Sequence, residues 1–239
     1  MSIKGIFFDL GGTLFSYQNV AITNVPLLIE SARKMGAGCD EREIKKAYGV
    51  ASKEITDHYA EKIYYLHRDL FGDIYTRFLE ILDLTHDEET HQWYRTKQQS
   101  EIINCLEIKH DCVPTLSALK QHGLYLSIAS NIDDAMLDPL VEREGLSTYF
   151  DHCVSSEAAQ ACKPHANFFD YCLEKSGLSA EQVLFVGDSP EHDIVGAKQA
   201  GMKTELISDN GNPPPMQTGR ASAAADYDVQ SLNDLLAII

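Results

Sequence analysis

The carboxylate of Asp9 stands where an apolar run, Ile6, Phe7 and Phe8, meets a glycine pair, Gly11 and Gly12. A buried-strand pattern that ends on an acid beside glycines lets backbone amides approach an anion next to a potential nucleophile. Three more polar clusters follow: Ser130 with Asn131, Lys163 with Pro164, and Gly187-Asp188-Ser189-Pro190-Glu191-His192-Asp193. The hydroxyl of Ser130 and amides near it can hold a phosphoryl oxygen. Asp188 can coordinate a hard cation through oxygen, and Asp193 can do so directly or through water. In isolation each cluster has a plain reading: a turn at Asp9, an N-cap at Ser130, a solvated charge at Lys163 and a helix-start acid at Asp193.

The elements around them argue for more. After the first strand, residues 20–108 read as helical, with Leu27, Leu28, Ala32 and Met35 on one face and Ile74, Phe78, Leu79 and Leu82 on another. Asp40-Glu41-Arg42-Glu43 has the form of a capping box, and this block is expected to be a four-helix insertion. From residue 113 short apolar strands alternate with helices: helices at 113–121, 135–144, 166–176 and 193–200, strands at 124–129, near Cys153 and Val154, at 183–186 and at 204–207. Ser231 is expected to open a short closing helix. Such alternation predicts an α/β fold, a parallel sheet with helices on both faces. Ligands in these sheets sit beyond the carboxyl ends of the strands, where Asp9, Ser130 and Asp188 fall. Residues 209–225, rich in Pro, Gly, Ser and Ala, read as an exposed loop.

Composition narrows the partners. At 239 residues and a net charge of −16, the chain repels polyanions, so nucleic acid is not expected as a partner. The same charge requires a divalent cation and local donors if the substrate is a phosphate ester. Six scattered cysteines without a Cys-x-x-Cys pair, no bilayer-length apolar run and no leader pattern point to a soluble cytoplasmic protein with reduced thiols and no membrane association. Cys162 and His165, with His152 and Cys153 upstream, lack the two well-spaced pairs of a structural zinc site.

In their order, the four clusters resemble the haloacid dehalogenase-like (HAD) hydrolases, most clearly in Gly187 to Met202. The resemblance implies a Rossmann-like core from residues 1–15 and 109–239 with an all-helical cap at 16–108. It implies a magnesium-dependent phosphatase for a small phosphorylated metabolite, monomeric or homodimeric. Asp9 would be nucleophile and metal ligand, joined on the metal by the Gly11 carbonyl, Asp188 and Asp193. Thr13, Ser130, Asn131 and Lys163 would bind the phosphoryl group, with Lys163 also beside Asp9 as a catalytic residue.

Position 11 departs from the pattern, because most family phosphatases carry there the acid that protonates the leaving oxygen and later activates water. Candidate replacements are His58, Tyr64, Tyr65, His67, Asp69 and Asp133. Two alternatives stay open: a metal-independent 2-haloacid dehalogenase-like hydrolase, with which Asp188 and Asp193 agree poorly, and a catalytically weak phosphate-binding or regulatory protein. With Gly11 unable to donate a proton, acyl and aryl phosphates are expected to be cleaved faster than alkyl phosphates, measurable as kcat/KM across leaving groups of graded acidity.

Overall fold

The structure, a computed structural model, describes residues 2–85, 87–208 and 214–239. The strands are β1 (Gly5–Phe8), β2 (Phe15–Ser16), β3 (Glu107–Ile108), β4 (Tyr125–Ser130), β5 (His152–Ser155), β6 (Val183–Gly187), β7 (Lys203–Ile207) and β8 (Tyr227–Val229). Six of them form one sheet in the order β5-β4-β1-β6-β7-β8, with every neighbouring pair parallel. β2 and β3 pair antiparallel outside it.

Every residue of β1 is buried, as a central strand covered on both faces requires. Successive side chains alternate between two apolar layers. Ile6, Phe8, Ile128, Leu184 and Val186 belong to one. Phe7, Ala129 and Phe185 belong to the other, together with Phe168 and Phe169. Each fully buried side chain of this size contributes about 1.5–3 kcal/mol relative to exposure. The layers therefore hold the strand ends rigidly in register.

Between β2 and β3 lie four helices, α1 (Val20–Lys34), α2 (Glu41–Tyr59), α3 (His67–Ile81) and α4 (Glu88–Cys105). They share a separate apolar cluster around Leu28, Ile44, Ile74, Tyr75, Phe78 and Tyr94. The rings of Tyr75 and Tyr94 stack at 4.0 Å. The capping box at α2 forms: Asp40 Oδ1 accepts from Glu43 N–H at 2.9 Å, and Glu43 Oε2 from Asp40 N–H at 3.2 Å. Five helices serve the sheet: α5 (Cys112–Gln121), α6 (Asp134–Arg143), α7 (Ser156–Ala159), α8 (Ala166–Ser176) and α9 (Val195–Gln199). No helix among the described residues is long and apolar enough to cross a membrane.

Three local differences from the sequence reading have physical causes. The helix expected at 193–200 begins earlier, as a wide π turn over Pro190–Ile194 that passes into α9. Ser189 Oγ caps it by accepting from His192 N–H at 2.9 Å, and Pro190 occupies the first helical position, where no amide hydrogen is needed. β2 and β3 have two residues each, too few for any periodicity to register. The edge strand β8 follows a polar, alanine-rich stretch and has only three residues.

β7 also carries a charge conflict. Glu205 is fully buried on the same side of the sheet as Val186, and neither carboxylate oxygen has a hydrogen-bond partner. Burial first, and the charge of Asp234 second, push its pKa from 4.5 up to about 8. Between those values the unfolded chain loses the proton that the folded chain keeps, so this group's contribution to stability is complete below the lower value and is lost as pH rises through the upper one. Glu205→Gln should therefore raise the melting temperature at pH 8.5 by an amount on the order of a few kcal/mol of stability, and change it little at pH 5. Calorimetry at the two pH values checks this; equal shifts at both would refute it.

Candidate active site

The carboxyl end of the sheet gathers the four clusters. Asp9 directly follows β1 and keeps the ladder, its N–H donating to the Val186 carbonyl at 2.9 Å. Ser130 closes β4 and Asp188 follows β6. Lys163 comes in from the segment after α7 and is buried. Its ammonium donates to Asp9 Oδ1 at 2.6 Å and to the Ala129 carbonyl at 3.0 Å, and lies 2.7 Å from Asp193 Oδ1. Ser130 Oγ donates to the same Asp9 oxygen at 2.8 Å. Asp193 Oδ2 accepts from Ser189 N–H at 3.0 Å, closing the π turn on itself.

Electrostatics give the site its character. Burial lowers the pKa of Lys163, but Asp193 and Asp9 outweigh it, so the ammonium stays charged and is held above its ordinary value. For Asp188, burial and then the charges of Asp9 and Asp193 push the carboxyl well above the usual range. Burial likewise raises Asp193, against the pull of Lys163. Three buried carboxyls crowd together there, and the charges of Lys163 and Lys109 only partly offset the cost of ionising Asp188. Oxygens of Asp9, Asp188 and Asp193 lie within 4.8 Å of one another, and Asp188 Oδ2 is buried without a hydrogen-bond partner. That donor set, all hard oxygen with one orphaned atom, fits a divalent cation of the magnesium or calcium type. Gly12 permits the arrangement: at φ +73° it adopts a conformation that L side chains avoid, and a Cβ there would overlap the Asp188 carboxylate.

Two residues expected in the site have other contacts. The carboxamide of Asn131 clamps the main chain of Lys163, accepting from its N–H at 2.7 Å and donating to its carbonyl at 3.0 Å. The side chain thus orients Lys163, while the residue still lines the cleft at Asp9. Asp133 accepts from the N–H groups of His67 and Arg68 at 2.7 and 2.8 Å, anchoring the start of α3 and keeping it from serving as the missing acid. Thr13 is fully buried with its hydroxyl unpartnered within the protein.

The sequence reading missed one wall of the site. Residues 209–213 lie outside the described residues, but the rest of the expected exposed loop is partly docked. Buried Glu191 accepts from Thr218 N–H at 2.9 Å, from Gly219 N–H at 3.0 Å and from the Thr218 hydroxyl. Ser189 Oγ donates to Gln217 Oε1 at 3.1 Å, and Gln217 Nε2 lies 3.3 Å from His192 Nδ1. Burial, with the Lys163 charge, pushes His192 down to about 4, so a neutral ring faces Gln217. Met216 packs on the helical block, and Arg220 approaches Glu61 of that block at 3.6 Å. Between this loop, the block and the sheet runs a cavity of about 150 Å³, lined by Tyr59, Tyr65, Lys163, His192 and Met216 among others. A smaller cleft reaches Asp9, Asp188, Asp193 and Tyr17. Only Glu191 and His192 carried a signal, as polar residues inside the most specific motif.

Comparison with known proteins agrees with this geometry. A family model described as haloacid dehalogenase-like hydrolase matches residues 3–201. The glyceraldehyde 3-phosphate phosphatase of Methanocaldococcus jannaschii is 27% identical over 238 residues, 99% of this chain and 97% of that protein. The (S)-2-haloacid dehalogenase 4A of Burkholderia cepacia is 24% identical, covering 98% of this chain and 94% of its own. Among solved structures, the hydrolase YfnB of Bacillus subtilis, bound to magnesium, superposes with a TM-score of 0.75 at 21% identity, covering 100% of this chain and 99% of that one.

Glu191→Ala removes three hydrogen bonds to a buried carboxylate, each worth about 1.5–3 kcal/mol. The docked loop should then open often enough for trypsin to cut after exposed Arg220 at least about tenfold faster than in the parent, under conditions where the core resists. An unchanged cleavage rate would show that the loop is held by something else.

Proposed function

Because this chain belongs to the haloacid dehalogenase-like hydrolases, we propose that it is a phosphatase of small phosphorylated metabolites, acting through a phosphoryl ester on Asp9 with magnesium as cofactor. One observation carries the reading: three buried carboxyls gathered within 4.8 Å, whose crowding with burial holds Asp188 far above the usual carboxylate range, with an orphaned Asp188 oxygen. A reaction that needs no cation has no use for such crowding. The relative that is a glyceraldehyde 3-phosphate phosphatase, similar over nearly the whole chain, supports a small substrate. So does the size of the cleft at Asp9, about 50 Å³ and well below the usual range for drug-sized ligands. Residues 16–108 act as a cap domain over the core formed by 1–15 and 109–239. Six free cysteines fit a reducing, cytoplasmic setting.

Asp9, Asp188 and Asp193, with the Gly11 carbonyl, are the groups that hold magnesium, whose charge offsets that on the phosphoryl oxygens. Lys163 and Ser130 both bind Asp9 Oδ1, which fixes the carboxylate plane and assigns Oδ2 to attack. Lys163 also offers positive charge to the transferred group, and Thr13 and Ser130 orient it. As the bond from Asp9 to phosphorus forms, the bond to the ester oxygen breaks. Water then attacks phosphorus, releasing phosphate and the free carboxylate.

Asp9→Asn should lower kcat on phosphate esters by a factor on the order of 10⁴ or more, since the nucleophile is gone. Saturating magnesium should raise the parent's melting temperature by about 3–8 °C and leave Asp188→Asn unmoved. Without metal, Asp188→Asn should be at least as stable as the parent, because it removes a buried carboxyl whose ionised form burial and its acidic neighbours disfavour. Phosphatase activity and a melting point both indifferent to magnesium, or turnover of 2-chloropropionate that survives a chelator, would shift the assignment to the dehalogenase alternative.

A further inference from the structure

A leaving alkoxide needs a proton, and Gly11 has none to give. We propose that the phenol of Tyr17 is the general acid and base of this site, an assignment that rests on the phosphatase reading and deepens it. Tyr17 lines the cleft that contains Asp9, Ser130, Lys163, Asp188 and Asp193. Its ring lies over the turn that follows the nucleophile. A Cβ built on Gly11 would overlap the Tyr17 hydroxyl and lie 2.7 and 2.8 Å from Cζ and Cε1. One built on Gly12 would lie 2.9 Å from Cε2 and would overlap the Asp188 carboxylate. The hydroxyl thus occupies the space in which a side chain at position 11 would begin, two residues from Asp9.

The local structure holds the ring there. Tyr17 immediately follows β2, which is paired to β3 through Phe15 with Ile108 and Ser16 with Glu107. Lys109 bridges the same turn, its N–H donating to the Leu14 carbonyl at 2.8 Å and its ammonium to the Gly12 carbonyl. The ring is half-buried against the larger apolar layer, fixed but still at the cleft.

Lys163, Ser130 and Ser189 in the same cleft hold their neighbours in place. Lys163 is clamped between Asp9 and Asp193, and Ser130 donates to Asp9. Ser189 caps the π turn and donates to Gln217.

The proton balance closes with no further reactant. In the first half, the bond from Asp9 to phosphorus forms, the bond to the ester oxygen breaks, and the Tyr17 proton passes to that oxygen, giving an alcohol and a phenolate. In the second half, the phenolate takes a proton from the water that attacks phosphorus, the bond from phosphorus to Asp9 breaks, and phosphate, carboxylate and phenol are restored. A phenol is a weaker acid than the carboxyl it replaces, so the preference for good leaving groups inferred from Gly11 persists in milder form.

The test compares the parent with Tyr17→Phe on p-nitrophenyl phosphate, phenyl phosphate and the best alkyl phosphate the parent turns over. General acid–base help is worth about 10²–10⁴-fold. The variant should lose about 100-fold or more in kcat on the alkyl ester, with KM within about twofold. On p-nitrophenyl phosphate, whose leaving group needs no proton, the first turnover should keep its rate to within about threefold and appear as a burst equal to the enzyme concentration. Slow steady-state release should follow, because the attacking water lacks its base.

The double variant Gly11→Asp, Tyr17→Ala places a carboxyl in the vacated space and should recover at least about tenfold on the alkyl ester over Tyr17→Ala alone. Equal losses in the first-turnover rate on all three esters, or no loss on any, would overturn the assignment of Tyr17 while Asp9-dependent turnover left the phosphatase reading in place. If the parent hydrolyses no phosphate ester in an Asp9-dependent way, both fall together.

Discussion

One ammonium between two carboxylates organises this protein. Lys163 Nζ lies 2.6 Å from Asp9 and 2.7 Å from Asp193, all three side chains being largely or fully withdrawn from water. Removing charges from water is costly, and the cost is recovered only when geometry is close and every remaining lone pair is satisfied. Lys163 meets the first condition through Asn131, which grips its peptide on both sides, and through the Ala129 carbonyl, which takes a third contact. The second condition fails at Asp188, whose Oδ2 has no partner. The fold therefore tolerates an unsatisfied buried carboxyl at one point, a local conflict of the kind that natural sequences retain at functional sites.

Such a conflict is tolerable only on a rigid base. Adjacent parallel strands β1, β4 and β6 present their last residues side by side, so Asp9, Ser130 and Asp188 share one rim without any long loop to order. Alternation of Phe7 and Phe8 into opposite layers locks β1 against rotation or slippage, since a shift of one residue would drive Asp9 into an apolar layer. The missing Cβ at Gly12 then allows the Asp188 carboxylate to approach the backbone. Position and charge are thus set by different parts of the chain: apolar packing holds the rim, and the polar turns place the charges on it.

That division explains what could be read from the amino-acid sequence. Asp9, Ser130, Lys163, Asp188 and Asp193 were legible because chain order and the apolar runs before three of them encode a strand end, and strand ends in a parallel sheet converge. The four-helix block was legible from its periodicity. The grip of Asn131 on Lys163 was not legible, because the reach of a carboxamide to a peptide 32 residues away depends on how two loops fold against each other. Tyr17 went unnoticed for a similar reason. It follows a strand of two residues, and only the pairing of β2 with β3 brings its ring back over Gly11. The loop at 214–221 has the composition of a free excursion. Its docking depends on Glu191, which reads locally as an acid at a helix start and whose carboxylate in fact accepts from Thr218 and Gly219.

The walls of the larger cavity are tied together with unequal strength, and this ranks the ways it can open. The loop at 214–221 is bound to the sheet side through Glu191, a buried carboxylate with three donors. The helical block is bound to the sheet side by the amides of His67 and Arg68 on buried Asp133, and by Cys162 N–H on the Ile63 carbonyl at 2.8 Å. Hydrogen bonds to buried charged groups contribute about 1.5–3 kcal/mol each. Between loop and block the described polar tie is Arg220 with Glu61, at 3.6 Å and exposed on both sides, supplemented by the packing of Met216. An exposed pair of this kind contributes about 0–1 kcal/mol and weakens with salt. The seam between Arg220 and Glu61 is accordingly the weakest of these polar ties, and the loop is bound more firmly to the π turn that carries Asp193.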